Sequence, residues 1–346
     1  MISFRNDYSE GAHPKILDAL IQTNLESTPG YGEDAYCAAA AQVVRRRFAC
    51  PDADVHFLVG GTQTNTIASA AFLRPWEAMV AVDTGHVAVH ETGAIEARGH
   101  KVITVPHQEG KMTCQALEQA WQAHTAGNLG HMVKPRLLYL SDSTELGTVY
   151  TKAELLALRS LCDRLGMALY LDGARLGAAL TAPGNDLAPE DLPRLCDAFT
   201  IGGTKNGLLF GECLVLRDPA LWLDFRFAMK QGGGMLAKGR LLGVQFQALL
   251  EQDLWLETAR HANQMAARLS EGFLEAGYPL YAQSPTNQVF PILPKKKISE
   301  LAAAFSFEIS TPVDQDRDAV RFVTSWATRP EQVDALLCAL RREERA

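Results

Sequence analysis

The sequence predicts an α/β protein, with a large domain built on a mostly parallel sheet covered by helices and a small α/β C-terminal domain. Short apolar runs alternate with longer helical stretches, as in strand–helix–strand units. The runs are continuously apolar, which is typical of strands buried on both faces. After a long helical stretch at residues 239–276, with room for a break, the pattern changes. We therefore assign residues 1–250 to an N-terminal arm and the large domain, and residues 251–346 to the small domain.

The elements follow in order along the chain. The first helix is predicted over residues 14–27, where apolar side chains recur on one face and Pro14 suits the first turn. Further helices are predicted over 34–48, from the Gly60–Thr62 turn to Phe72, and over 87–97, 113–126 and 151–166. Strands are predicted at His56–Val59, Met79–Val82, Val102–Val105, Leu137–Ser141, Ala168–Leu171, Ala198–Ile201 and Cys213–Leu216. The C-terminal domain is predicted to contain strands at Thr286–Ile292, Phe305–Ile309 and Ala319–Thr324 and a closing helix at Pro330–Arg342.

Composition excludes several classes of protein. The 346 residues are 47% hydrophobic and 21% charged, which is typical of a folded chain rather than a disordered one. With 33 Lys+Arg against 40 Asp+Glu, the net charge of 33 − 40 = −7 gives no basic footprint for nucleic acid. The basic runs Arg45–Arg47 and Lys295–Lys297, the second interpreted as a turn, fit solvated faces better than binding patches.

The chain also lacks the signals of a membrane or secreted protein. No stretch approaches the roughly 20 apolar residues of a membrane span, and the charged N-terminus lacks an apolar signal segment. The seven cysteines are odd in number and contain no Cys-x-x-Cys pair, so a disulfide framework or a zinc knuckle is not indicated. Free buried thiols in the cytoplasm fit better.

Polar residues follow several strands where each ends, which is where ligands bind in such sheets. Gly60-Gly61-Thr62 opens a helix, and the free amides of a helix N-terminus can hold a phosphate. The pattern is not that of a nucleotide P-loop, and a plain Thr-capped turn is the alternative. Asp172 ends another strand and could pair with Arg175, or could face a protonated ring nitrogen in a site.

Two further strand ends carry candidate groups. Lys205 lies among small residues, which suits a lysine that needs room for a cofactor and a lowered pKa to attack as a free amine. A surface lysine is the alternative. His86 and His90, four residues apart with Glu91 nearby, could bind zinc, but no further ligand cluster accompanies them. His86 could instead stack on a cofactor ring.

These features together match what pyridoxal phosphate requires: a phosphate site, a ring-stacking imidazole, an acid that keeps the ring nitrogen protonated and a lysine for the aldehyde. The 33 residues from Asp172 to Lys205 are about one strand–helix–strand unit, which brings both to one sheet edge.

The chain resembles the threonine aldolase/β-eliminating lyase family of fold-type I pyridoxal-phosphate enzymes along essentially its whole length. The matching stretches are Arg5-Asn6-Asp7, Tyr31-Gly32-Glu33-Asp34, Gly61-Thr62-Gln63-Thr64-Asn65, His86 through Gly93, Thr144-Glu145-Leu146-Gly147-Thr148, Asp172-Gly173-Ala174-Arg175, Thr204-Lys205, Lys230 before Gly232-Gly233-Gly234, and Arg321-Phe322-Val323-Thr324. Each motif alone is weakly specific, whereas their ordered series is strong.

The resemblance implies a role for each matching residue. Lys205 would hold the aldehyde of the cofactor, and Asp172 would bind its pyridine nitrogen. Arg175 would contact the phenolic oxygen of the ring, and His86 would stack on the ring. The other cofactor contacts implied by the resemblance are Gly61, Thr62 and Gln63 at the phosphate, together with Thr204 and Lys230.

The resemblance also implies how substrate is bound and how subunits assemble. Asn6 and Arg321 would grip the substrate carboxylate. Tyr31 and Lys230 would reach into the site of a neighbouring subunit, because family members share sites across a dimer and usually form homotetramers.

The activity implied is cleavage of L-threonine, L-allo-threonine or a related β-hydroxy-α-amino acid to glycine and an aldehyde. One branch of the family has a histidine where Glu145 stands here, so the base for the β-hydroxyl proton is left open among Glu145, His86 and an ordered water. The alternatives are a β-eliminating lyase or an aminotransferase with the same cofactor, and a non-catalytic scaffold descended from such enzymes.

Overall fold

The computed structural model describes residues 1–127 and 129–341. Its strands are β1 (Ile2–Ser3), β2 (Asp54–Leu58), β3 (Glu77–Val82), β4 (Lys101–Val105), β5 (Lys134–Ser141), β6 (Ala168–Asp172), β7 (Ala198–Gly202), β8 (Glu212–Leu216), β9 (Leu280–Ala282), β10 (Gln288–Pro294), β11 (Phe305–Ser306), β12 (Glu308–Pro312) and β13 (Arg317–Val323). Its α-helices are α1 (Pro14–Thr23), α2 (Ala35–Arg47), α3 (Gly61–Phe72), α4 (His86–Val89), α5 (Cys114–Thr125), α6 (Lys152–Leu165), α7 (Leu176–Leu180), α8 (Leu192–Leu195), α9 (Phe225–Gln231), α10 (Arg240–Glu251), α11 (Leu254–Glu275), α12 (Lys295–Ala302) and α13 (Pro330–Arg341). Within these residues, no helix has the length and apolar character needed to cross a membrane.

A seven-stranded sheet forms the centre of the large domain. Its strand order is β2-β8-β7-β6-β5-β3-β4, and only β8 runs antiparallel to its neighbours. The predicted mostly parallel sheet is therefore confirmed. The carboxyl ends of the six parallel strands meet at one edge, where the antiparallel β8 begins at Glu212, so the residues after these strands converge there.

Helices cover both faces of this sheet because successive strand residues point to opposite sides. Leu169 and Leu171 of β6 belong to one hydrophobic cluster, which also contains side chains of α2, α6 and α10. Tyr170 belongs to a second cluster, which contains side chains of α3 and α9. Asp172, two residues after Tyr170, shares the face covered by α3 and ends β6 beside the start of that helix.

The C-terminal part has a core of its own. Four antiparallel strands in the order β12-β13-β10-β9 pack with α11, α12 and α13 around a third hydrophobic cluster. The N-terminal arm joins this core, since β1 pairs in parallel with β11 and Phe4 is fully buried in the cluster. The boundary at residue 250 stays a prediction, because α11 contributes Leu254 to the first cluster and Phe273 to the third.

The helix predicted over residues 87–97 is wrong. The helix α4 has four residues, and a separate 3-10 turn follows at Glu96–Arg98. Between them Thr92 and Gly93 have φ angles of 54° and 70°, in the left-handed region that a right-handed helix cannot continue through.

Other boundaries also differ from the sequence pattern. The first helix ends at Thr23, and the stretch at 239–276 is broken after Glu251, where Asp253 has a φ of 61°. The basic run Lys295–Lys297 is the first turn of α12 and not a turn between elements. Of the predicted closing helix, Arg342 lies outside the described residues. The pattern missed the short elements β1, β9, α7, α8, α9 and most of α12.

Candidate active site

A cavity of about 400 Å³ opens at the carboxyl edge of the seven-stranded sheet. Pockets of this size hold small molecules and cofactors. It is lined by Tyr8, Val59, Gly60, Gly61, Thr62, His86, His90, Ser141, Ser143, Glu145, Asp172, Ala174, Arg175, Thr204, Lys205, Phe210 and Glu212. Six of the seven central strands, all except β4, lie next to these residues in the chain, so the cavity is built by the sheet topology.

The start of α3 forms one end of the cavity. Gly60 is the N-cap and makes no side-chain cap hydrogen bond. A Cβ atom added at Gly60 or Gly61 would meet nothing within 4 Å, so the space over these amides is open. Free backbone N–H groups at the N-terminus of a 12-residue helix attract an anion, which suits a phosphate group.

Asp172 also lines the cavity, at the end of β6, and is 6% exposed. Its Oδ2 accepts hydrogen bonds from Asn65 Nδ2 at 2.9 Å and from the Tyr139 hydroxyl at 2.7 Å, and its Oδ1 accepts from the Ala174 amide at 3.0 Å. Burial raises the pKa of Asp172, but these side-chain hydrogen bonds and the nearby charges of His86 and Lys205 outweigh it, so the pKa is lowered. The carboxylate is therefore ionised and can face a protonated ring nitrogen.

Hydrogen bonds connect Asp172 to His86 through buried groups. Asn65 Nδ2 also donates to Glu91 Oε1 at 2.8 Å, and Asn65 Oδ1 accepts from the Tyr170 hydroxyl at 2.7 Å. Glu91 Oε1 lies 2.7 Å from His86 Nδ1, and the Glu91 side chain is fully buried. Because Nδ1 is engaged, the orientation of the imidazole is fixed and its Nε2 remains for a ligand.

Lys205 follows β7 in a short 3-10 turn, Thr204–Asn206. Burial lowers the pKa of Lys205, the charge of Arg175 lowers it further, and the carboxyls of Asp7, Glu212 and Asp172 raise it. The net direction is a lowered pKa. Such surroundings favour the free amine that attack on an aldehyde requires.

Arg175 does not pair with Asp172, which was the structural alternative for this residue. Its Nε donates to Asp7 Oδ2 at 2.7 Å and its Nη2 donates to Asp7 Oδ1 at 3.1 Å, a two-point pair with a carboxylate whose side chain is fully buried. Burial raises the pKa of Asp7, but the charges of Arg175 and Lys205 and the hydrogen bonds it accepts lower it overall. Asp172 thus keeps its charge for another partner.

Two more carboxyl groups line the cavity. Glu145 Oε1 accepts from the His86 amide at 2.9 Å and from the Ser141 hydroxyl at 2.7 Å, while Oε2 is buried without a partner in the described part of the chain. Burial raises the pKa of Glu145, although these hydrogen bonds oppose it. Glu212 is 3% exposed, and its Oε2 also lacks a partner among the described residues.

The cavity brings together eight of the thirteen residues predicted for the site: Gly61, Thr62, His86, Glu145, Asp172, Arg175, Thr204 and Lys205. The other five do not line it. Gln63 accepts from the Val59 amide and donates to the Gly233 carbonyl, and Arg321 pairs with Glu308 across β12 and β13. Asn6 Oδ1 accepts from the Tyr8 amide and the Ser9 hydroxyl. The Lys230 ammonium lies 4.4 Å from the centre of the half-exposed Tyr31 ring, beside a separate cavity.

Sequence reasoning missed several groups that the fold places here. Asp7 and Asn65 stand in stretches used for the family resemblance, but no spacing indicates that residue 7 meets residue 175. Tyr139 and Tyr170 look like ordinary strand residues, and Glu212 precedes an apolar run. Glu212 lines the cavity, whereas Asp7, Asn65, Tyr139 and Tyr170 hold groups that line it or their partners, and these positions depend on sheet register and on the path of the N-terminal arm. Among the described residues, no group of three or more His, Cys, Asp or Glu side chains is placed to hold a metal ion.

Comparison with known proteins shows the family and the fold. The sequence model of the β-eliminating lyase family matches residues 4–295. A low specificity L-threonine aldolase of Pseudomonas aeruginosa is 32% identical over 336 residues, which cover 96% of this chain and 95% of the relative. A solved structure of Leishmania major threonine aldolase superimposes with a TM-score of 0.96 at 45% identity and 98% coverage of each chain. A Thermus thermophilus aspartate aminotransferase, with a TM-score of 0.73 at 16% identity over 98% of this chain and 90% of its own, shares the fold alone.

Proposed function

The chain belongs to the β-eliminating lyase family, and we propose that it is a pyridoxal-phosphate-dependent lyase that cleaves L-threonine, L-allo-threonine or a related β-hydroxy-α-amino acid to glycine and an aldehyde. One observation carries the proposal: an ionised buried carboxylate, a lysine of lowered pKa and an open helix N-terminus line one cavity. The fold is that of the fold-type I pyridoxal-phosphate enzymes.

The residues present fit this cofactor. The open amides over Gly60 and Gly61 suit its phosphate, and Asp172 suits its ring nitrogen. When bound, pyridoxal phosphate supplies an aldehyde that takes up an amine and a ring that withdraws electrons from the bond to be broken.

The side chains of this protein then have separate roles. Asp172 would keep a proton on the ring nitrogen, and Asn65 and Tyr139 hold its carboxylate in place. His86, held in place by Glu91, would cover the ring and exclude water. Arg321 does not line the cavity, but its charge acts on His90, which does; it would bind the substrate carboxylate if the substrate replaced Glu308 as its partner.

We assign the β-hydroxyl proton to Glu145. Its Oε2 has no protein partner in the described structure, and burial raises its pKa towards the working pH, as a general base needs. His86 has one nitrogen engaged by Glu91 and is the second candidate. We therefore expect E145Q to lower kcat by about 100-fold or more. A larger loss in H86N than in E145Q would transfer this role to His86.

We also propose that the protein acts in the cytoplasm as a homodimer or homotetramer in which Tyr31 and Lys230 serve the neighbouring copy's site. Support comes from the surface around them, where Leu223 and Phe227 are 78% and 75% exposed. Exposed apolar side chains of this size are typical of interfaces. Light scattering would give the subunit number, and activity recovered on mixing Y31A with K205A would test the sharing of sites.

The central test measures products. The purified protein loaded with pyridoxal phosphate should release acetaldehyde and glycine from L-allo-threonine, and K205A should release neither. K152A is the matched control, because Lys152 is bound to Asp191 away from the cavity. Pyruvate and ammonia from L-serine, with no acetaldehyde from L-allo-threonine, would favour the β-eliminating alternative. Failure to take up the cofactor would refute the proposal.

A further inference from the structure

Glu212 is a buried carboxyl group that the mechanism above does not use. It is the first residue of β8 and lines the cavity at 3% exposure. Its Oε2 is buried without a partner, and no hydrogen bond to either of its oxygens is found within the described residues. A buried polar group without a partner is costly, so it needs an explanation.

The sheet register places Glu212 between the two ends of the cofactor site. On one side it is level with Leu58 of β2, two residues before the Gly60 cap of α3. On the other side it is level with Gly202 of β7, three residues before Lys205. Its side chain lies on the same face of the sheet as Leu214, which belongs to the cluster under α3.

Among the carboxyl groups that line the cavity, Glu212 is the one that lacks a hydrogen-bond donor in the described structure, since Glu145 accepts two hydrogen bonds and Asp172 accepts three. Arg175 is already neutralised by its two-point pair with Asp7. The charge of Lys205 acts on both Asp172 and Glu212, whereas His86 also acts on Asp172. Asp172 has three hydrogen-bond donors that stabilise its negative charge, whereas Glu212 has none. An isolated buried carboxylate is strongly disfavoured, so Glu212 is the group that accepts a proton first.

We propose that Glu212 and Lys205 share one proton as long as the amine is not bonded to the cofactor, and that Glu212 carries this proton when the amine reacts. The two side chains share no hydrogen bond, so the proton moves through a water molecule in the cavity that both residues line: an N–H bond of the Lys205 ammonium breaks, and an O–H bond forms on the Glu212 carboxyl. The nitrogen retains the electron pair with which it attacks the aldehyde, whose oxygen leaves as water. Glu212 is thus a positioning residue for Lys205. The inference depends on the proposed function, because it needs a cofactor with an aldehyde.

The electrostatics support this assignment. Burial raises the pKa of Glu212 well above its ordinary range, while the neighbouring Lys205 charge lowers it and Asp172 raises it. Conversely, an ionised Glu212 raises the pKa of Lys205 against the effect of burial. The titratable and charged groups around the pair on other elements are Asp7, His86, His90, Glu145, Tyr170, Asp172 and Arg175. None of these changes in the variant below.

The test follows cofactor capture by the full chain freed of cofactor. Pyridoxal phosphate is added to wild type and E212Q over a range of pH, and the growth of the visible absorbance band gives a rate. We expect the midpoint of the rate's acid limb to fall by about one pH unit in E212Q, because glutamine cannot stabilise the ammonium form of Lys205. D142N is the matched control, since Asp142 is also a buried carboxyl with an unpartnered oxygen but does not line the cavity. Its midpoint should equal that of wild type.

The outcomes separate the two proposals. A band that forms in both proteins with the same midpoint overturns the role of Glu212 and leaves the enzyme assignment intact. Absence of a band in the wild type overturns both. Should E212Q not fold, infrared difference spectra of the wild type on cofactor capture decide the matter. A new C=O stretch of a protonated carboxyl that shifts in protein labelled with ¹³C-glutamate supports the proposal, and its absence overturns it.

Discussion

Replacing Asn65 by alanine should lower both the stability of the protein and its affinity for the cofactor, since the Asn65 side chain is bonded both to Asp172 and to Glu91, the partner of His86. The residue is 1% exposed on α3. Its amide nitrogen donates to Glu91 at 2.8 Å and to Asp172 at 2.9 Å, and its oxygen accepts from the Tyr170 hydroxyl at 2.7 Å. The substitution removes all three bonds at once and leaves three buried groups without this partner.

The magnitude follows from the charge of those partners. A hydrogen bond to a charged group contributes about 1.5–3 kcal/mol, so the loss of two bonds to carboxylates should lower the free energy of unfolding by about 4 kcal/mol. Asn263 provides a matched comparison, because it is 6% exposed and donates only to the neutral Ala178 carbonyl and Thr181 hydroxyl. N263A should cost about 2 kcal/mol, at about 1 kcal/mol for each neutral bond.

Measuring cofactor affinity distinguishes damage to the site from a general loss of stability. Asp172 loses a bond that lowers its pKa, so its ionised form is less stable and pyridoxal phosphate should bind about tenfold more weakly to N65A, which corresponds to about 1.4 kcal/mol. Urea unfolding would give the stabilities, and titration of the visible band would give the affinities. N263A should bind the cofactor as wild type does. Equal stability losses in the two variants, or unchanged affinity in N65A, would refute the reasoning.

Two further predictions concern buried carboxyl groups. D7N leaves the buried Arg175 without its counter-charge and should lower the free energy of unfolding in urea by about 3–5 kcal/mol at pH 7. The pKa of Asp7 is lowered in the folded state, so the stabilisation that Asp7 gives the wild type is lost as the pH falls through that pKa. Near pH 2 the difference in stability between D7N and wild type should therefore shrink. A deficit that does not change with pH would contradict this. Burial raises the pKa of Asp142 to about 8 in the folded state, which is above its pKa in the unfolded chain. Between about pH 4 and pH 8 the folded state therefore binds more protons than the unfolded state, and the free energy of unfolding decreases as the pH rises. D142N should therefore gain stability relative to wild type at pH 8 and not at pH 4, and an equal difference at both values would show that Asp142 titrates normally.

Local sequence patterns were sufficient to predict most of the strands and helices of the large domain. Runs such as Met79–Val82 and Cys213–Leu216 are apolar without interruption, so burial on both faces could be inferred, and each lies within an observed strand. The pattern failed where backbone conformation overrides composition. Residues 87–97 contain good helix formers, yet the left-handed Thr92 and Gly93 interrupt them. The two-residue strand β1 is too short to carry a periodic signal, and its partner β11 lies 303 residues further along the chain.

The sequence by itself determined the chemical groups of this protein and their order along the chain. Lys205, Asp172 and the Gly60–Thr62 turn each follow a recognisable strand, and parallel strands bring their carboxyl ends to one edge. Only the tertiary structure decided how these groups are paired. It gave Arg175 to Asp7 rather than to Asp172, and it brought Glu212 to the cavity. These pairings depend on sheet register and on the path of the N-terminal arm, which are set by packing between residues far apart in the chain and leave no mark in local spacing.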